Sequence, residues 1–209
     1  MLAITVLLAA AAHGAFVSQF YEATGYYCVD DHNRKGYNVV RRLDDLAVLE
    51  DASCSDLRGL NLSGKDLSGK TMTSTLYPRN LFKTVFNGAN MGGAELEEAN
   101  LAQASLAGAY LDHAHLGWAA FDDAKLQDAK IYSSDLHNAT FRGADLRGAK
   151  LHGSDLRSAI FDDADLRGAD LNTPWTDGAS FAGAKFDAAT VLQFSREQAE
   201  RRGMIFVEP

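Results

Sequence analysis

Large apolar residues recur every five positions through most of this chain. From Leu81 the steps run through Phe86, Met91 and Leu96 to Phe181, Phe186 and Val191, and only Thr176 interrupts them. Two residues before most of these stands Ala, with Ser134 and Ser154 as near-isosteres, and the intervening positions are polar or Gly. A period of five fits neither a helix of 3.6 residues per turn nor a strand alternating every second residue. It fits a chain that turns a corner every five residues. The large residue and the small one two before it then point inward, and the other three face solvent.

Repeats such as Ala144-Asp145-Leu146-Arg147-Gly148 and Ala164-Asp165-Leu166-Arg167-Gly168 resemble those of the pentapeptide-repeat family. That resemblance implies an all-β fold, a right-handed quadrilateral β-helix with four pentapeptides per coil. With coils of twenty residues, Phe121, Phe141, Phe161 and Phe181 form one aromatic column, and Leu111, Ile131, Leu151 and Leu171 another. The same register stacks Asp122, Arg142 and Asp162 outside, as well as Lys125, Asp145, Asp165 and Lys185. Residues 54–194 make about seven coils on this reading. Two irregularities are expected. Leu57, Leu62, Leu67 and Met72 keep the step of five, but Leu76 follows after four, as if one residue were missing. At Thr173-Pro174-Trp175-Thr176, Pro takes the small inward place, Thr176 the central one, and Trp175 points outward.

A solenoid exposes unpaired backbone at both ends and needs caps. Ser195-Arg196-Glu197-Gln198 matches a capping box and Gly203 a helix stop, predicting a short C-terminal helix over roughly 196–202 within a cap of residues 195–209. At the other end, Tyr26 to Val29 and Tyr37 to Val40 flank a polar turn and read as a hairpin, followed by a helical turn or two over Leu43 to Leu49. Residues 15–53 are the expected first cap.

Before them, Leu2 to Ala12 is an apolar run broken only by Thr5 and ending in small residues, the pattern of a signal-peptide core. Cleavage after Gly14 removes residues 1–14 and sends the chain to an exported compartment, secreted, periplasmic or lumenal, with no membrane span left. Ala15-Phe16-Val17 after such a core also resembles the bipartite plastid presequences of algae with secondary plastids, which implies a thylakoid-lumen destination. Cys28 and Cys54, the two cysteines of the chain, are positioned to pair in an oxidising compartment and hold the first cap on the solenoid, contributing ~3 kcal/mol.

Acidic residues exceed basic ones, 28 against 20, which argues against direct nucleic-acid binding, since such proteins cluster Lys and Arg. Asp31-His32-Asn33-Arg34-Lys35-Gly36 is similar to the start of a calcium loop, but Arg42 stands where the bidentate Glu belongs. Stacking brings Glu95, His115, Asp135 and Asp155 into one outward column, the best metal-like constellation, although a solvated charge ladder is the commoner use of such a column. No nucleophile with a base partner and no phosphate loop is recognisable, so neither an enzyme nor a cofactor protein is expected. Tyr110, Trp118, Tyr132 and Trp175 lie at positions the repeat assigns to solvent and are the interaction candidates.

The expectation is a non-catalytic structural or adaptor rod, a monomer or weak dimer, presenting fixed side-chain columns to an unidentified protein partner. An alternative follows from the resemblance: some family members are acidic rods that imitate a DNA duplex and act on a topoisomerase such as DNA gyrase. A further alternative, a thylakoid-lumen protein associated with photosynthetic complexes, follows from the plastid-like N-terminus. Arg142, Arg147, Arg157 and Arg167 interrupt the continuous negative surface that DNA mimicry needs.

Overall fold

The computed structural model describes residues 61–69 and 81–208. Each five-residue step is built alike. The residue before the central apolar one makes a parallel bridge to its equivalent twenty positions on, as from Glu95 to His115, Asp135 and Asp155. The central residue's own N–H donates one layer ahead, Leu126 N to Asp145 O at 2.8 Å. A corner follows. Ala104 N donates back to Leu101 O at 3.0 Å, and Gln103 between them has φ of 57°. A hydrogen bond closing four residues with a left-handed third residue is a type II turn. The third turn position accordingly holds Gly at Gly148 (φ 69°) and short polar residues such as Asp128 and Asn138 elsewhere, which tolerate this region better than most.

Twenty residues therefore return the chain to the same place one layer on, and four such steps make four sides. The first side carries Phe121 and Phe141 inward, the second Leu126 and Leu146, the third Ile131 and Leu151, and the fourth Leu136 and Leu156, all fully buried. On the first side the phenyl rings stack face to face, with centroids 4.8, 4.9 and 5.2 Å apart from Phe121 to Phe181 and planes within 4°. Strand spacing of ~4.8 Å dictates this, because identical rings held one strand apart have no room to tilt edge-on. Each buried Leu or Phe contributes about 1.5–3 kcal/mol, which offsets the entropy of ordering a narrow rod.

Outside, the residue before each central one serves the corner. Asp135, Asp145, Asp155 and Asp165 each accept from the backbone N–H two residues on, at 3.0–3.3 Å. That N–H lies beyond the bridge and has no ladder partner, so an Asx turn satisfies it.

The structure corrects three details. Asn61 bridges Val85 and Asp66 bridges Asn90, an offset of twenty-four. The coil there carries four extra residues instead of lacking one, because Leu62 sits under Phe86 and not under Leu81: its N–H reaches Val85 O. At the second irregularity Pro174 is exposed and Thr173 takes the buried place. The residue at Pro174's place donates to the turn in other repeats, which Pro174 cannot do. The Trp175 N–H turns to Thr173 Oγ1, and the Thr173 hydroxyl donates to Ser154 O at 2.7 Å in place of the ladder bond of that N–H. Third, Val191 faces outward at 46% exposure, and Leu192 turns toward the core in its stead.

The cause is one inserted residue. Strand β1 (Asp170–Leu171) pairs in parallel with β3 (Val191–Leu192) at an offset of twenty-one, while β2 (Lys185–Phe186) follows its predecessor at twenty. Between them Asp187 absorbs the slip, accepting from Gly168 N, Ala189 N and Thr190 N at 3.0 Å each. After β3 comes α1 (Arg196–Arg201) with both halves of the expected capping box formed at Ser195 and Gln198. Strand β4 (Ile205–Phe206) then pairs in parallel with β2. Ala199 and Met204 are buried, Phe194 meets the edge of Phe181 at 6.0 Å, and Phe206 meets Phe186 at 5.3 Å. The aromatic stack ends there in edge-on contacts. The expected signal segment, first cap and Cys28–Cys54 pair lie outside the described residues.

Candidate interaction surface

The four interaction candidates fall on two adjacent sides. Tyr110 and Tyr132 lie on the third. The Lys130 ammonium sits 4.2 Å from the Tyr110 ring centroid, and the His152 ring 4.4 Å from that of Tyr132. His152 in turn lies 3.3 Å from Asp170. Tyr110 is 41% exposed and Tyr132 half-buried, so each is a platform partly covered by the next coil.

Trp118 and Trp175 lie on the fourth side, 56% and 48% exposed. Trp118 stands at the left-handed corner position with φ of 60°, a conformation costing a bulky residue roughly 1–2 kcal/mol relative to an ordinary one. Its indole meets the His137 ring edge-on at 6.2 Å. Gly117 makes room for that imidazole: a Cβ there would lie 2.4 Å from His137 Cε1. His137 is anchored by Asp135, Nδ1 to Oδ1 at 2.6 Å. Trp175 is reached through the Thr173 substitution, its N–H donating to Thr173 Oγ1 at 3.4 Å.

Beneath this side runs a column of buried hydroxyls. Ser134 Oγ donates to Leu111 O at 2.7 Å and Ser154 Oγ to Ile131 O at 2.5 Å, while Ser154 Oγ accepts from Ser134 N at 3.0 Å. A buried hydroxyl must find such partners or cost free energy, and these tie the fourth side to the third.

The metal-like column does assemble, since bridges join Glu95, His115, Asp135 and Asp155 in order. Asp135 is taken by His137, and Asp155 by Arg157, whose Nε lies 2.9 Å from Oδ1. Among the described residues no group of three or more His, Cys, Asp or Glu is arranged to hold a metal ion.

Sequence reasoning missed how the charges are neutralised. Alternation between coils was expected, and Arg142 does reach Asp122 one coil back at 3.9 Å, but the short pairs form within one repeat: Asp145 with Arg147, Asp155 with Arg157 and Asp165 with Arg167. The hydrogen bonds from these guanidiniums are the chief cause holding all three carboxyls below the usual range. The signal was present as Asp-Leu-Arg at 145–147, 155–157 and 165–167, in which the residues flanking an inward Leu point out on the same side.

The sides differ in net charge. The second balances Asp128, Asp145, Asp165 and Asp187 against Lys125, Arg147, Arg167 and Lys185, and the third balances Asp112 and Asp170 against Lys130 and Lys150. Among the described residues the fourth sets Glu95, Glu97, Glu98, Asp135, Asp155 and Asp177 against Arg157 alone. The most acidic side also bears both tryptophans.

A four-sided parallel β-solenoid with one decorated side defines a structural repeat rod. Eight copies of the Pentapeptide repeats family model match within residues 80–117, 89–128, 99–138 and 134–172. The chain belongs to the pentapeptide-repeat family, whose members fold as right-handed quadrilateral β-helices and are generally non-catalytic. Among solved structures it is similar to a pentapeptide repeat protein of the Arabidopsis thaliana thylakoid lumen, at 34% identity over 51% of this chain and 68% of that one, with TM-score 0.39. It is also similar to QnrB1, a plasmid-mediated fluoroquinolone resistance protein, at 19% identity, 64% and 72% coverage and TM-score 0.42. HetL, involved in heterocyst differentiation regulation in a cyanobacterial Nostoc, matches at 22% identity, 72% and 84% coverage and TM-score 0.28. Comparison with curated proteins gives no match. Among the described residues no helix is long and apolar enough to cross a membrane.

Proposed function

We propose that the protein is a non-catalytic interaction rod that engages a protein partner through its fourth side. The observation that carries this reading is the gathering of Trp118, Trp175 and the excess of carboxylates on one side of a fully packed solenoid. Exposed Trp is an uncommon surface residue and a favoured anchor in interfaces. Trp118 occupies a backbone position where Gly, Asn or Asp costs less, so its stability penalty is set against a role at the surface. The C-terminal α1 and β4 act as the cap that blocks end-to-end stacking, and residues 15–53 serve the same purpose at the other end. The run Leu2 to Ala12 supports export with cleavage after Gly14, and the Ala15-Phe16-Val17 sequence supports a plastid route.

Photo-crosslinking in the native source tests the interaction side. A photoreactive residue replacing Trp118 or Trp175 is expected to trap a partner that the same residue at Asp128, on the second side, does not. Equal trapping from all three positions refutes the assignment. Intact mass with thiols alkylated before reduction tests export: a chain starting at Ala15 with Cys28 and Cys54 protected is the expected result.

The gyrase-type reading is the alternative, and the mild, uneven acidity of the rod disfavours it. Three Asp–Arg pairs break the negative surface on the second and fourth sides. No loss of gyrase supercoiling at micromolar concentration of the mature protein ends that reading, and inhibition revives it.

A further inference from the structure

The charge asymmetry and the tryptophan pair specify the chemistry of the partner. We infer that the fourth side binds an extended, cationic-apolar polypeptide segment crossing it obliquely, with apolar side chains on Trp118 and Trp175 and Lys or Arg facing Glu95, Glu97 and Glu98. This rests on the interaction-rod reading and deepens it.

Three observations converge. Trp118 and Trp175 belong to repeats three coils apart, and with the ring stack measuring 4.8–5.2 Å per coil their separation along the axis is about 15 Å. Trp118 stands at the corner and Trp175 at the bridge position in line with Asp155, so the two indoles lie diagonally across the side. An extended chain advances about 17–20 Å over five or six residues, enough for a short strand crossing the side obliquely to reach both.

Backbone pairing cannot provide the recognition. On this side Leu96, Leu116, Leu136 and Leu156 donate to His115, Asp135, Asp155 and Trp175 carbonyls, and His115, Asp135 and Asp155 donate to the preceding coil. The ladder is consumed internally, so a partner must be read by side chains. What the side offers is two indoles, one guanidinium already held by Asp155, and a concentration of carboxylates at the Glu95 end. Indole faces attract both aliphatic chains and Lys or Arg cations. A field of one sign also steers an oppositely charged segment into place.

Gly117 and His137 shape the middle of the track. Without a side chain at Gly117 the imidazole lies over that position, edge-on to the exposed Trp118 indole. Uniform anionic mimicry of a duplex would not place indoles in this way.

The chain's two tryptophans both lie on this side, so intrinsic fluorescence reports its occupancy directly. The probe is a synthetic twelve-residue peptide of alternating Lys and Leu, titrated into the full mature protein, with the Glu and Leu counterpart as control. The expected result is a blue shift of emission with the cationic peptide and none with the acidic one. Binding should weaken about tenfold in Glu95→Gln/Glu97→Gln/Glu98→Gln and in Trp175→Ser. An equal charge change elsewhere, Asp123→Asn/Asp128→Asn/Asp163→Asn, should shift it less than about twofold. Equal weakening in both triple variants, binding by calorimetry without an emission change, or no binding of the cationic peptide overturns the inference. Circular dichroism of each variant keeps loss of fold separate from loss of binding. A fourth side that takes a partner of other chemistry would leave the cationic peptide unbound yet still trap the native partner from Trp118 and Trp175, which distinguishes the two proposals.

Discussion

The second and fourth sides of the rod are the same structure on the inside and different surfaces on the outside. Both stack a leucine every coil, Leu126, Leu146 and Leu166 on one and Leu116, Leu136 and Leu156 on the other, all fully buried. Both use Asp before the Leu to satisfy the corner N–H, and both close an Asp–Arg pair across it. On the second side charges cancel and no aromatic stands out. The fourth carries excess carboxylate and two indoles, one of them on a strained backbone. A solenoid separates the two tasks because three of every five residues never enter the core. Stability is set by the inward pair, and the surface is free to specialise one side at a time.

The largest effects should come from the core and be indifferent to side. Phe141→Ala opens a cavity in the aromatic stack and is expected to cost ~3–5 kcal/mol in chemical denaturation. Leu146→Ala on the second side and Leu136→Ala on the fourth should each cost ~2–5 kcal/mol and agree with one another. A clear difference between those two would show that the sides are not equivalent inside.

Trp118→Gly sharpens the contrast at the surface. Removing a bulky side chain from φ of 60° should raise stability by roughly 1 kcal/mol while weakening capture of the partner, the opposite signs expected of a residue kept for binding. If stability falls instead, Trp118 packs against His137 more tightly than its exposure indicates.

Acid should act through the Asp–Arg pairs on both sides. Asp145, Asp165 and Asp155 are held below the usual carboxylate range, chiefly by hydrogen bonds from Arg147, Arg167 and Arg157. A carboxyl depressed in the folded state contributes stability that is full above its unfolded value, ~3.9, and is lost as pH falls through the lower folded value. Unfolding midpoints should therefore decline below about pH 4, and in Arg147→Ala/Arg167→Ala that decline should flatten. An unchanged slope in the double variant would assign the acid sensitivity elsewhere. The smallest effect belongs to Arg142→Ala, under ~1 kcal/mol, because its 3.9 Å pairing with Asp122 is exposed.

Much of this was legible in the chain. The period of five and the small residue two before each apolar one determine which side chains enter the core, since nothing else in a narrow rod can accommodate them. The phenylalanines at 121, 141, 161 and 181 reported coil length, and Ser195 with Gln198 reported the helix start, because both depend on local spacing alone. The outward placement of Tyr110, Trp118 and Trp175 followed from the same register.

Tertiary structure decided what register cannot count. Whether an irregular step adds or removes residues depends on which coil the chain rejoins, and only the pairing of Asn61 with Val85 reveals four added. Val191 looked periodic, yet Asp187 and Thr190 absorb one residue by hydrogen bonding to Gly168 and rotate it outward. Thr173 enters the core in place of Pro174 because its hydroxyl can satisfy Ser154 O, a partner nineteen residues away. The candidate surface is of the same kind. Trp118 and Trp175 are fifty-seven positions apart in sequence, and only the four-sided winding places them, with the surplus carboxylates, on one side.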